Sequence, residues 1–154
     1  MSASIHRRGS SYRLDGLQLT DHHFQVPLDH AAPAGEQLTL FAREVSRRGA
    51  EQLPYLVFFQ GGPGFEATRP MDHSGWMRRA LQDHRVLLLD QRGTGRSSPI
   101  DADTLHSFGE SRQQAERLTL YRADNIVRDA EAIRAALIGP DHTWSVLGLS
   151  LIHI

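Results

Sequence analysis

Three apolar runs, each closing on a glycine turn, constrain this chain more than any other feature. Tyr55 to Phe59 reads YLVFF and enters QGGPG, and Val86 to Leu89 reads VLLL and enters DQRGTGRSS. A shorter run, Trp144 to Leu147, leads into Gly148. A strand without polar positions has no face to give to water. Such runs belong in a parallel sheet covered by helices on both sides. Helical patterns separate them. Ser74 could cap a helix through Asp83, with Met77 and Leu81 one turn apart. Ser111 and Gln114 have capping-box spacing before a helix through Tyr121. The clearest helix runs from about Asn125 to Leu137, with Ile126, Ala130, Ile133 and Leu137 on one face. Asp124 is its expected N-cap, and Gly139-Pro140 stops it. Strand, glycine turn, helix, strand is the order of a doubly wound α/β fold.

The chain ahead of these runs follows a different pattern. Leu17 and Leu19, then Phe24 and Val26, alternate with polar neighbours up to Pro27. Leu38, Leu40 and Ala42 alternate again after a turn-forming HAAPAGE segment. This predicts an antiparallel pair with one wet face. Residues 1–15 are polar and are expected to be flexible, which leaves residues 16–148 as the folded part.

Composition removes several function classes. Seventeen Lys+Arg balance 18 Asp+Glu, so no net field draws the chain to nucleic acid or an anionic membrane. The absence of cysteine removes disulfides and thiolate chemistry. No apolar run is long enough to span a bilayer, and the N-terminus lacks the apolar core of a secretory signal, so the expected location is the cytoplasm. Nine histidines are scattered without metal-ligand spacing, so no metal is expected.

Three loops could carry chemistry. Gly61, Gly62, Pro63 and Gly64 follow a buried strand, so their backbone N–H groups fall at the carboxyl edge of the sheet, where ligands bind in such folds. Glycine there lets the backbone approach a substrate, and its N–H can stabilise an oxyanion. A tight turn alone would also explain the glycines. In the second loop Asp90, Arg92, Gly93 and Gly95 stand in a sequence that superficially resembles a nucleotide loop. Ser98 replaces the third glycine of a dinucleotide fingerprint, and Arg96 replaces the lysine of a P-loop, so a loop held together by Asp90 and Arg92 is the better reading. The third, Gly148-Leu149-Ser150, is the first half of a nucleophile elbow, in which a serine sits exposed on a strained strand-to-helix turn.

Together, in this order and spacing, the three loops resemble the proline iminopeptidase (prolyl aminopeptidase) family of α/β-hydrolases. The resemblance extends to the PLDH segment, Pro27 to His30, and covers Leu17 to Gly148. It implies the N-terminal part of an α/β-hydrolase fold: antiparallel first strands, then a mostly parallel sheet with flanking helices. It implies a serine aminopeptidase acting on peptides with a free N-terminus, with no metal or organic cofactor. Ser150 falls at the nucleophile position, and the backbone N–H groups of Gly62 and Leu151 at the oxyanion hole. An esterase on the same fold and a non-catalytic binding module remain alternatives. Nothing in the sequence indicates an oligomeric state.

The end of the chain departs from the family pattern. After Leu151 come Ile152 and His153, where that pattern has glycines. No residue matches the family's later aspartate and histidine. The final LSLIHI reads as the translation of a sequencing-library adapter (CTG TCT CTT ATA CAC ATC), so residues 149–154 are expected to be a non-native tail. The 154-residue chain by itself is therefore expected to be inactive.

Overall fold

The first two apolar runs become strands buried on two faces, and the alternation within them decides what each face meets. The computed structural model describes residues 6–70 and 75–149. The strands are β1 (His6–Leu14), β2 (Leu17–Pro27), β3 (Gln37–Arg47), β4 (Tyr55–Phe59), β5 (Arg85–Leu89) and β6 (Ser145–Gly148). The helices are α1 (Gly75–Asp83), α2 (Ala102–Ser107), α3 (Ser111–Leu118) and α4 (Ala123–Ile138), with a 3-10 turn at Thr119–Tyr121. One sheet runs in the order β1-β2-β3-β5-β4-β6. β4 is parallel to both β5 and β6, whereas β1, β2, β3 and β5 pair antiparallel in succession.

Val57 and Phe59 of β4, with Leu87 and Leu89 of β5, pack against Ile126, Ala130 and Ile133 of α4. Phe58, Val86 and Leu88 point the other way, toward Met77 and Leu81 of α1. Each side chain of this size stabilises the fold by roughly 1.5–3 kcal/mol when fully buried. Strand β2 serves both layers. Leu17 and Leu19 join the α1 side, whereas Phe24 and Val26 join the α4 side.

Between those two pairs the expected wet face is largely absent. Thr20, Asp21 and His22 are buried. Each polar group there meets a partner across the sheet: Asp21 takes the Arg43 guanidinium at 2.9 Å, and His22 Nε2 meets Glu44 Oε2 at 3.0 Å. Burial raises the Glu44 carboxyl, but the His22 and Tyr55 hydrogen bonds and the Arg85 charge outweigh it and leave Glu44 below the usual range.

The N-terminal expectation also needs correction. His6–Leu14 is a strand, not a flexible tail, whereas residues 1–5 lie outside the described residues. Its sequence carries no apolar alternation because the backbone ladder to β2 and an imidazole contact hold it. The His6 ring stacks on Phe24 with centroids 4.8 Å apart, and His6 Nε2 lies 2.9 Å from His22 Nδ1. Burial lowers the His6 pKa; His22 and Arg8 lower it further, while Glu44 opposes them. The neutral form therefore belongs to the folded strand. That contribution is complete above the ordinary histidine pKa of about 6.5 and is lost as pH falls below it. Hydrogen exchange, corrected for intrinsic rates, should show β1 amides losing protection relative to β4 between about pH 7.5 and about pH 5.5. Equal protection at both ends would refute the imidazole clasp.

Strand β6 was expected to be buried on both faces. It stands at the sheet edge instead, with Val146 50% exposed. Two helix starts differ by a residue or two. Glu110, not Ser111, caps α3, in a capping box with Gln113, and Arg122 occupies the N-cap position of α4. Asp124 lies in the first turn of α4, where its charge still favours the helix dipole. Ser74 lies outside the described residues. Among those residues, no helix is long and apolar enough to cross a membrane.

Candidate functional site

Because β4, β5 and β6 are parallel neighbours, the loops that follow them emerge at one edge of the sheet. The loop after β4 touches Leu149, the residue after β6, directly. Leu149 N–H donates to the Phe59 carbonyl at 3.1 Å, extending the β4–β6 ladder one residue past the strand. A Cβ on Gly61 would lie 2.7 Å from the Leu149 carbonyl oxygen, so this approach tolerates only glycine. Gly62 has φ +122° and is joined to Pro63 by a cis peptide. Gly61 N–H is engaged by the Gln60 side chain at 3.3 Å, but among the described residues nothing accepts from Gly62 N–H. The loop thus presents Gly62 N–H, unengaged among the described residues, beside the end of β6. Ser150 and Leu151 lie outside the described residues, so their geometry is not part of this picture.

The loop after β5 anchors the first. Asp90 is fully buried and accepts from Ala67 N–H at 3.1 Å, from Arg96 N–H at 2.9 Å, and from two Arg69 nitrogens at 3.0 and 2.5 Å. Ala67 and Arg69 follow the GGPG turn, so this carboxylate ties the two loops together. Gly95 has φ +51°, and a Cβ there would collide with Asp90 Oδ2. Gly93 N–H closes the loop on the Ser97 carbonyl at 2.9 Å. Arg69 and Arg96 also lie over the buried Phe41 ring, 5.1 and 3.9 Å from its centroid.

Arg92 points away from the edge. Its side chain is fully buried and pairs bidentately with Asp129 of α4 at 2.7 and 2.6 Å. It also donates to the carbonyls of Pro27, Leu28 and Leu120. His30 Nε2 reaches the same Asp129 at 2.8 Å. The PLDH segment, the β5 loop and α4 therefore meet at one carboxylate.

Pro63 and Gly64 are exposed at the mouth of the turn, and Phe65 beside them is 69% exposed. A cavity of about 410 Å³ opens next to Leu149, walled by Phe58, Trp76 and Arg69. Gly148 is paired with Phe59 at the last register position of the β4–β6 ladder.

Sequence reasoning missed two residues here. Asp129 was findable, as a carboxylate three residues after Ile126 on the apolar face of a helix. Gln91 carried no such signal, because its partner is set by tertiary contacts. Gln91 is 1% exposed and donates through Nε2 to the Gln60 carbonyl at 2.9 Å.

Comparison with known proteins agrees with this geometry. Residues 54–151 match the family model for the alpha/beta hydrolase fold. The chain is 52% identical over 153 residues to a proline iminopeptidase of Aeromonas sobria, covering 97% of this chain and 34% of that protein. It is 41% identical over 139 residues to a proline iminopeptidase of Aspergillus aculeatus, covering 85% and 31%. A cold-adapted esterase from an Arctic intertidal metagenomic library shares the fold, with TM-score 0.50 and 14% identity over 93% of this chain and 55% of the esterase. The chain spans about a third of the length of the curated relatives it matches. The family match over most of the chain, and the joined loops at the edge of a parallel sheet, make it a member of the α/β hydrolase fold family.

Proposed function

We propose that the whole protein is a cytoplasmic serine hydrolase that releases the N-terminal residue, proline foremost, from peptides. One observation carries this reading: the GGPG turn is held against the residue after β6, with Gly62 N–H unengaged among the described residues. The similarity to two proline iminopeptidases supplies the substrate class.

In this reading the Ser150 position attacks the carbonyl of the first peptide bond. The developing oxyanion accepts from Gly62 N–H and from the N–H at the Leu151 position; donors held in place before reaction need little reorganisation. Gly61 and Gly148 let the two loops approach, and Asp90 keeps the first in place. In this reading the histidine base and its carboxylate belong to a part of the whole protein beyond the residues of this chain. A serine without that base is a weak nucleophile, so the 154-residue chain alone has no turnover in this reading.

The complete protein decides between peptidase and esterase. It should cleave proline-β-naphthylamide with a kcat/KM at least about tenfold above that for short acyl esters, since buried polar recognition of an amine discriminates strongly. Higher kcat/KM on the esters would overturn the aminopeptidase assignment while leaving the fold family intact.

A further inference from the structure

Gln91 is a buried polar side chain at the functional edge that the proposed chemistry does not yet use. It is 1% exposed. Its Nε2 donates to the Gln60 carbonyl at 2.9 Å, and among the described residues its buried Oε1 has no partner. The orientation is chemically forced, because only the amide nitrogen can donate to a carbonyl; the reverse placement would set two acceptors face to face. A buried acceptor left unpaired carries a desolvation cost. The protein holds that arrangement at one peptide unit, Gln60–Gly61.

That peptide unit is constrained from two sides. Gln91 grips its carbonyl from the β5 loop, and the Leu149 carbonyl crowds Gly61 from the β6 side. The next amide along the chain is Gly62 N–H. Rotating the Gln60–Gly61 plane would swing that N–H away from wherever it is aimed. We propose that Gln91 is a positioning residue for the GGPG turn: by fixing the Gln60 carbonyl it sets the direction of the Gly62 N–H. This rests on the reading of Gly62 as an oxyanion donor. Gln91 touches no reacting atom. Its effect should therefore fall on the transition state and spare ground-state binding.

The experiment uses the complete protein with proline-β-naphthylamide. Gln91→Met keeps the volume and removes the hydrogen bond. The expected result is a fall in kcat of about tenfold or more, with KM within about twofold. Gln91→Glu adds a readout that a packing role would not move. A protonated carboxyl can donate to the Gln60 carbonyl, whereas an ionised one repels it. The ratio of variant to wild-type kcat should therefore fall as pH rises through the titration of that buried carboxyl.

Wild-type kcat in Gln91→Met, or equal losses in kcat and substrate affinity, would overturn the proposal. Where Gln91→Met does not fold, the Gln91→Glu ratio decides, and a pH-independent ratio refutes the proposal. A wild-type protein inert toward aminoacyl amides would instead remove the aminopeptidase reading, and this inference with it.

Discussion

Replacing Asp129 with alanine should cost about 3–5 kcal/mol of folding stability, the range for removing one partner of a buried ion pair. The Arg92 side chain is fully inaccessible, and all five of its N–H donors are used: two on Asp129, and three on the carbonyls of Pro27, Leu28 and Leu120. Removing the carboxylate strands a guanidinium that cannot lose its proton. His30 would lose its partner as well. The three carbonyls can still solvate the cation but cannot balance its charge. Urea unfolding should show the midpoint fall at an unchanged slope. Asp129→Asn, which keeps one acceptor, should lose less. Arg92→Met with Asp129→Leu should lose less than Asp129→Ala alone, because no buried charge remains. A loss below about 1 kcal/mol in Asp129→Ala would mean that water reaches Arg92 and the pair is not truly buried. The damage would not stay local. Arg92 belongs to the β5 loop, whose Asp90 holds the segment after the GGPG turn. The network thus joins α4 and the PLDH segment to the edge where the chemistry is proposed to occur.

What could be read from the sequence depended on whether a residue's environment is set by its neighbours in the chain. Strands β4 and β5 were legible because both their faces are covered, and that condition writes itself as an unbroken apolar run. Helix α4 was legible through Ile126, Ala130 and Ile133 at helical spacing, all of which are buried. β1 was not. Its residues, HRRGSSYRL, give no periodic signal because a backbone ladder and the stacking of His6 on Phe24 hold it. The exposure of β6 was also hidden, since an apolar pattern does not encode how many neighbours a strand has. α2 escaped because six residues are too few to show a helical period, although Asp101 caps it. At the site, Gly61 and Gly62 stood out by type. The partners that give Asp90 and Gln91 their roles, Arg69 and the Gln60 carbonyl, are separated from them by 21 and 31 positions. No local pattern carries such pairings.

Gly61→Ala in the complete protein should lower kcat by about 100-fold, the loss expected when a donor or reacting group is displaced by roughly an ångström. Gly61 does not have positive φ, so alanine introduces no backbone strain there. The cost lies in one contact: the new Cβ would stand 2.7 Å from the Leu149 carbonyl oxygen and 3.4 Å from its carbon. That oxygen belongs to backbone and cannot rotate aside like a side chain. Leu149 is itself held by its N–H on the Phe59 carbonyl at 3.1 Å. Either the GGPG turn lifts from β6 or the chain after β6 moves outward. Both change how Gly62 N–H stands to Leu149, the residue before the proposed nucleophile. Gly64→Ala is the matching control. Among the described residues nothing lies within 4 Å of a Cβ at Gly64, and its φ is not positive, so activity should stay near wild type. The pair of variants separates a need for close approach at one glycine from a general need for flexibility in the turn. Equal and small effects from both would mean that the turn and β6 do not act together. A large loss in Gly61→Ala with an unchanged melting temperature would locate the effect in the geometry of the oxyanion site, because a global packing defect would lower both.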